Sequence, residues 1–332
     1  MAPWISHYHP PESTVWQGRA DSPAHACFFQ VIQLLNLKEP LPVIDHFPAF
    51  ALLGFRCDEG IRRNFGRTGA AEGPLAIRTA LARLAVQTQP LTCFDAGDIL
   101  CTDSDLESAQ HALGEAASLL LRQGITPIVL GGGHEVAWGH YQGIAKYSVQ
   151  ESLGIINFDA HFDMRPLLPD HQGSSGTPFL QIAEAHRATQ RRFDYNCIGI
   201  QRAGNVRALF ETAKRYDTHI FLAEELHQSR YENCIDFVSE VINRNQLIYL
   251  SLCLDVFAAP YAPGVSAPQT LGLTPWQVLP FIRQLAASGK VISYDIAELS
   301  PPYDVDGRTA KLAAHCVYDI IHYHKKRKSS WD

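Results

Sequence analysis

The chain has 332 residues, 46% of them hydrophobic and 19% charged, with a formal net charge of −6. This composition suits a globular protein with a large core, and the length suits a single α/β unit. Acids and bases are mixed with no basic stripe that would point to nucleic acid, and no apolar run is long enough to span a bilayer.

From the N-terminus, residues 1–16 carry no charged segment followed by an apolar stretch, which argues against a signal peptide. Residues 1–45 are rich in Pro, His and aromatics and read as an irregular lead-in, with one predicted helix over CFFQVIQLLNL (27–37). Strand and helix patterns then alternate. Short apolar runs predict buried strands at FALLGF (50–55), ITPIVLG (125–131), LGIINF (153–158), YNCIGI (195–200), HIFLA (219–223), LIYLSLCLD (247–255) and VISYDIAEL (291–299). Amphipathic stretches at 73–86, 112–123, 233–245 and 274–289 predict helices between them. The alternation implies an α/β fold with a mainly parallel sheet covered on both faces. In such sheets the site lies beyond the carboxyl ends of the strands. The eight cysteines form no C-x-x-C pair and read as reduced thiols of a cytoplasmic protein. The chain from 323 onward, with its basic run Lys325, Lys326, Arg327 and Lys328, reads as a flexible, solvated tail.

Three strand ends carry metal-capable side chains. Gly131-Gly132-Gly133-His134-Glu135 follows ITPIVL, Asp159-Ala160-His161-Phe162-Asp163 follows LGIINF, and Cys253-Leu254-Asp255 ends LIYLSL. Extended backbone sends residues i, i+2 and i+4 to one side, so Asp159, His161 and Asp163 are expected to face one point, joined by Cys253 and Asp255. The glycines before His134 let the backbone turn and approach closely. Any one segment alone is weak: a glycine turn is common, and an Asp at a strand end is often a helix cap. Together they favour metal binding. Carboxylate-rich sets with a few imidazoles suit Mn²⁺, and six ligands exceed what one open catalytic ion uses, so two ions are expected. Glu135 is expected to orient His134 or to cap the following helix.

GGGHE, DAHFD and SLCLD, in that order, resemble the metal signatures of the arginase/agmatinase (ureohydrolase) family. RTGAAEGPLAIR (67–78), DAGDI (95–99) and DIAELSPPYD (295–304) resemble further segments of that family, and the likeness covers roughly 45–320. It implies a three-layer αβα sandwich and a single catalytic domain over residues 1–332. TVWQGRAD (14–21), NFGRTGA (64–70), SSGTPF (174–179), GIQRAGN (199–205) and APGVSAP (262–268) resemble the branch of the family that hydrolyses N-formimidoyl-L-glutamate to L-glutamate and formamide in histidine degradation.

That resemblance implies two Mn²⁺ per subunit. One would be held by His134, Asp159, Asp163 and Cys253, the other by Asp159, His161, Cys253 and Asp255. Glu298 would stabilise the substrate's amidinium and Asp255 would carry a proton to the leaving amine. A dicarboxylate substrate calls for cationic donors, here Arg67 and Arg202, with Asn64, Ser175, Thr177 and Asn205 as neutral ones. The chain departs from the family where Cys253 and Ala258 stand at two aspartate positions, and a thiolate favours softer ions than Mn²⁺. Two alternatives follow: an agmatinase or guanidino-acid hydrolase of the same fold, and a metal-poor, non-catalytic binding member. The expected partner is a small amidine, with neither nucleic acid nor membrane; a homo-oligomer is left open.

Overall fold

The computed structural model describes residues 3–19, 21–46, 48–87, 90–148, 150–228 and 230–325. Its centre is a sheet of ten strands: β1 (Tyr8–His9), β2 (Gln33–Leu34), β3 (Ala49–Arg56), β4 (Thr92–Leu100), β5 (Thr126–Leu130), β6 (Leu153–Phe158), β7 (Asp194–Ile200), β8 (His219–Leu222), β9 (Leu247–Cys253) and β10 (Val291–Ala297). Their order is β1-β4-β3-β5-β10-β9-β6-β7-β8, with β2 beside β4, and β1 alone is antiparallel. The helices are α1 (Phe28–Val31), α2 (Glu59–Arg63), α3 (Gly73–Leu81), α4 (Leu106–Arg122), α5 (Val136–Tyr147), α6 (Pro178–Ala188), α7 (Arg207–Arg215), α8 (Ala223–His227), α9 (Tyr231–Arg244), α10 (Pro275–Ala286) and α11 (Arg308–Tyr323).

Period-two alternation makes the layers. Along β9, Ile248, Leu250 and Leu252 join the core under α3, α9, α10 and α11, while Leu247 and Tyr249 join the core under α5, α6 and α7. Along β3, Phe50 and Leu52 face the first core, while Leu53 and Phe55 face a third cluster under α4. Both faces are therefore apolar, and helices cover each one: an αβα sandwich.

The seven predicted strands are present. The lead-in is more regular than its composition implies, because β1 and β2 both add to β4. The helix expected over 27–37 is a single turn: Ile32 turns extended, and the chain then pairs with the sheet, Leu35 N–H donating to Asp95 O at 2.8 Å. The strands expected to reach 255 and 299 stop at Cys253 and Ala297, where the chain curls into the site. Buried Arg78 holds the edge together, 3.0 Å from Asp95 and 2.7 Å from Asp98, while Trp16 Nε1 donates to Asp95 at 2.9 Å. At the other terminus α11 runs to Tyr323, and His324 Nδ1 lies 2.7 Å from the Tyr294 hydroxyl, so the chain is still packed there. The tail from 326, with most of the basic run, lies outside the described residues. No helix among the described residues is long and apolar enough to cross a membrane. All eight cysteines are free.

Candidate metal centre

Four neighbouring strands, β5, β10, β9 and β6, end side by side, and each delivers part of the site. After β5 the glycines continue the sheet. Gly131 N–H donates to Ile296 O at 2.7 Å, Gly132 N–H to Phe55 O at 2.8 Å and Gly133 N–H to Cys57 O at 3.0 Å. A Cβ on Gly132 would stand 1.6 Å from Cys57 O, so only glycine fits there. His134 is thereby held at the sheet's edge, its ring edge-on to Phe179. Glu135 takes a different support role: its Oε1 accepts the Gly60 N–H at 3.0 Å, tying this loop to α2.

The segment after β6 converges by another route than the extended one expected. The strand ends at Phe158 and the chain bends, with His161 N–H donating to Asp159 Oδ1 at 2.7 Å. Asp163 adopts a left-handed backbone, φ 48°, which an Asp tolerates better than most residues. After Cys253 a 3₁₀ turn, Leu254–Val256, swings Asp255 inward. Beyond β10, Glu298 also sits at positive φ, 77°, a strained conformation for a non-glycine and one typical of functional sites.

The structure brings all six predicted metal ligands together. His134 Nδ1 lies 3.0 Å from Asp159 Oδ2 and 2.8 Å from Asp163 Oδ2. His161 Nδ1 lies 3.1 Å from Asp255 Oδ2 and 3.5 Å from Asp159 Oδ1. Donor atoms of His134, Asp159 and Cys253 lie within 4.8 Å of one another, as do those of Asp159, His161 and Asp255. Asp159 belongs to both groups.

The contacts suit the ligands of a cation. His134 Nδ1 is buried and, despite its two short approaches, makes no directed hydrogen bond; Asp255 Oδ1 is buried without a partner too. Donor atoms 2.8–3.0 Å apart are close enough to share one divalent cation. Buried carboxylates also demand a cation. Burial, then the neighbouring Asp159 charge, pushes Asp163 up to about 6. Burial raises the Cys253 thiol as well, reinforced by Asp159 and Asp255. Burial pulls the His134 imidazole down, but Asp159 and Asp163 outweigh it and hold it well above its ordinary value. An oxygen-rich, partly imidazole donor set fits divalent first-row cations, and shared Asp159 fits a pair of them.

His134, His161, Asp163, Cys253 and Asp255 line a cavity of about 300 Å³, with Glu298 beside them and Asp159 buried beneath. Glu298 Oε1 accepts the His134 N–H at 2.8 Å and Oε2 accepts the Ser266 hydroxyl. Burial, only partly offset by the Ser266 hydrogen bond, pushes its carboxyl up to about 7.

The six residues expected to bind substrate divide. Asn64, Ser175 and Asn205 line the cavity, and Asn64 Nδ2 donates to Ser175 Oγ at 3.2 Å. The Asn205 amide is occupied in fixing the loop after β6: it accepts from Phe162 N–H at 3.1 Å and donates to Ala160 O at 2.8 Å. Thr177 is buried outside the cavity, its Oγ1 bonded to Ser174 and Gln181. The Arg67 guanidinium donates to Val265 O at 2.6 Å and Ser266 O at 3.2 Å and stacks 4.2 Å from the Tyr303 ring centre, so it braces a loop instead of reaching inward. Arg202 pairs with Glu224 at 2.8 Å on the surface. Arg165 lines the cavity in their place. Its signal in the sequence is its position, two residues beyond Asp163. Phe65, Ser266 and Ala267 also line the cavity; they lie within NFGRTGA and APGVSAP, which the resemblance marks without singling out these residues. Gln269 lies just behind it, its Nε2 3.4 Å from His161 Nε2.

Residues 48–322 match the model of the arginase family. Formimidoylglutamase of Legionella pneumophila strain Lens is 44% identical over 317 residues, spanning 96% of this chain and 98% of that protein. Formimidoylglutamase of Geobacillus thermodenitrificans is 42% identical over 324 residues, spanning 96% and 98%. Among solved structures, Trypanosoma cruzi formiminoglutamase with Mn²⁺ superposes with a TM-score of 0.74 at 27% identity, covering 84% of this chain and 95% of that one. Bacillus subtilis formimidoylglutamase shares the fold, with a TM-score of 0.78 at 20% identity, covering 92% and 95%.

Proposed function

The chain belongs to the arginase family, and from that premise we propose that it is a binuclear manganese hydrolase converting N-formimidoyl-L-glutamate and water to L-glutamate and formamide, acting in histidine degradation. One observation carries the reading: two candidate ligand clusters that share buried Asp159 and reach, through His134, Cys253, His161 and Asp255, a cavity whose wall bears Arg165. The eight free thiols support a cytoplasmic location, and the continuous sheet supports a single catalytic unit.

His134 and Asp163 would hold one ion and His161 and Asp255 the other, with Asp159 and Cys253 between them. When bound, such a pair supplies the Lewis acidity that lets a shared water ionise near neutral pH. The protein's own groups do the rest. Glu298, which the amidinium's positive charge would draw into its ionised form, faces the substrate from a carboxylate pinned by His134 N–H and Ser266. Asp255, which lines the cavity, would carry a proton to the departing glutamate nitrogen. Asn64 and Ser175 offer neutral donors at the wall, and Arg165 offers the cation for a carboxylate.

Arg165 is what favours an acidic substrate over agmatine, whose cationic tail it would repel. The test is turnover of the Mn²⁺-reconstituted protein with N-formimidoyl-L-glutamate, agmatine and L-arginine. Glutamate and formamide from the first alone is the expected result. Faster urea release from a guanidine compound would replace this reading with a guanidino hydrolase, and no bound Mn²⁺ with no turnover would replace it with a binding protein.

A further inference from the structure

A chain of buried hydrogen bonds runs inward from the metal centre. His134 Nε2 lies 2.9 Å from Ser251 Oγ, and Ser251 Oγ donates to Asp295 Oδ1 at 2.6 Å. Asp295 Oδ2 accepts the Tyr249 hydroxyl and lies 2.8 Å from His140 Nδ1. His140 Nε2 reaches Ser293 Oγ at 2.5 Å. Tyr249, Ser251, Ser293, Asp295 and His140 are all 0% exposed.

Strand register builds this chain. Ser251 stands opposite Asp295 and Tyr249 opposite Ser293 across the parallel β9–β10 pair. On β9, Tyr249, Ser251 and Cys253 share one face, so the row that starts in the core ends at the metal centre. The loop carrying His134 runs directly into α5, which carries His140 over the same face.

The carboxylate sets the direction of every hydrogen bond. The Ser251 and Tyr249 hydroxyls donate to Asp295 and the His140 Nδ1 lies against it, an arrangement in which the carboxylate accepts. Ser251 therefore donates its single proton to Asp295, and its oxygen accepts from His134. Once a cation replaces the proton that Asp159 and Asp163 otherwise hold on Nδ1, the remaining His134 proton sits on Nε2, and the Nδ1 lone pair is left on the side of Asp159 and Asp163. We propose that Asp295 is a positioning residue of the metal centre: acting through Ser251, it fixes His134 in the tautomer that offers Nδ1 to a cation. The inference rests on the binuclear reading above. It applies to one ion only, because His161 has a separate outer neighbour, Gln269, and no link to Asp295.

Asp295→Asn keeps the size of the side chain and replaces an accepting oxygen with an amide donor. Turned toward Ser251, that donor reverses the chain and moves the imidazole proton onto Nδ1. The experiment titrates chelator-stripped, full-length protein with Mn²⁺, reading affinity by calorimetry and ion pairing by the spin-coupled EPR signal. The wild type is expected to take two ions. In Asp295→Asn one ion binds about 10–100-fold more weakly and the other is unchanged, and the coupled signal gives way to that of isolated Mn²⁺. Ser251→Ala breaks the same link, so combining the two substitutions adds little to the larger single effect. Tyr249→Phe removes one donor only, gives a smaller loss at the same ion, and carries the test if Asp295→Asn does not fold. Equal weakening of both ions, or of neither, overturns the inference. A wild type holding fewer than two ions overturns the binuclear reading instead; the inference then requires that the single ion bind more weakly in each variant, and it fails if it does not.

Discussion

The His134 backbone N–H donates to Glu298 Oε1 at 2.8 Å, joining the end of β5 to the end of β10 across 164 positions of sequence. The His134 loop and the Glu298 carboxylate are thus fixed to each other, and Glu298 N–H donating to Gly132 O at 2.8 Å closes the pair from the other side.

Glu298→Gln keeps an accepting oxygen for His134 N–H and removes the charge. The expected result is Mn²⁺ content equal to the wild type with kcat lowered on the order of 100-fold, as for loss of a stabilising group worth about 3 kcal/mol. Metal analysis beside steady-state kinetics checks it. Loss of metal in step with activity would make Glu298 a structural brace only.

Arg165→Met is expected to raise KM about 10–100-fold with little change in kcat, since one charge-assisted contact is worth about 1.5–3 kcal/mol. Arg202→Ala is expected to leave both constants near wild type, because Arg202 pairs with Glu224 at the surface. The opposite pattern would return the carboxylate clamp to Arg202.

Cys253→Asp replaces the soft donor with a hard one. Competition titrations are expected to show a smaller preference for Zn²⁺ over Mn²⁺ than in the wild type. The same variant is expected to resist inactivation by peroxide, which oxidises thiolates. An unchanged metal preference would place the sulfur outside the coordination sphere.

His186 predicts an acid limit to stability. It is 1% exposed between the Tyr141 and Phe193 rings, and its Nδ1 donates to Arg192 O at 2.8 Å. Burial pulls its imidazole from 6.5 down to about 4. The unfolded chain therefore takes up this proton below about 6.5 while the folded chain does not, so stability falls as pH drops from there to about 4. The full loss is about 3 kcal/mol. Denaturant unfolding of His186→Phe at pH 7.5 and 4.5 is expected to show a difference smaller by about that amount than in the wild type. An equal difference in both proteins would clear His186 of the effect.

Much of this architecture is legible along the chain. Short apolar runs such as LGIINF and LIYLSL, too short for a typical helix, read as strands buried on both faces, and their polar ends mark the site. β4 is not legible that way, because Asp95, Gly97 and Asp98 interrupt it. Its acids are accommodated by Arg78 and Trp16 from distant segments. Nor is the ending of α1 after one turn legible, since the β4 edge that captures the following residues lies about sixty positions away.

The sequence by itself determined the layer order, the candidate metal-binding side chains and the strand ends that bear them, because side-chain period and donor chemistry are local properties. Only the tertiary structure decided which arginine enters the cavity. Arg67, Arg165 and Arg202 look equivalent as letters, but two of them find backbone carbonyls or a surface carboxylate nearby and the third does not. It also decided that Asp295 stands behind His134, because the neighbours of a strand are set by sheet order, and sheet order is a property of the whole fold.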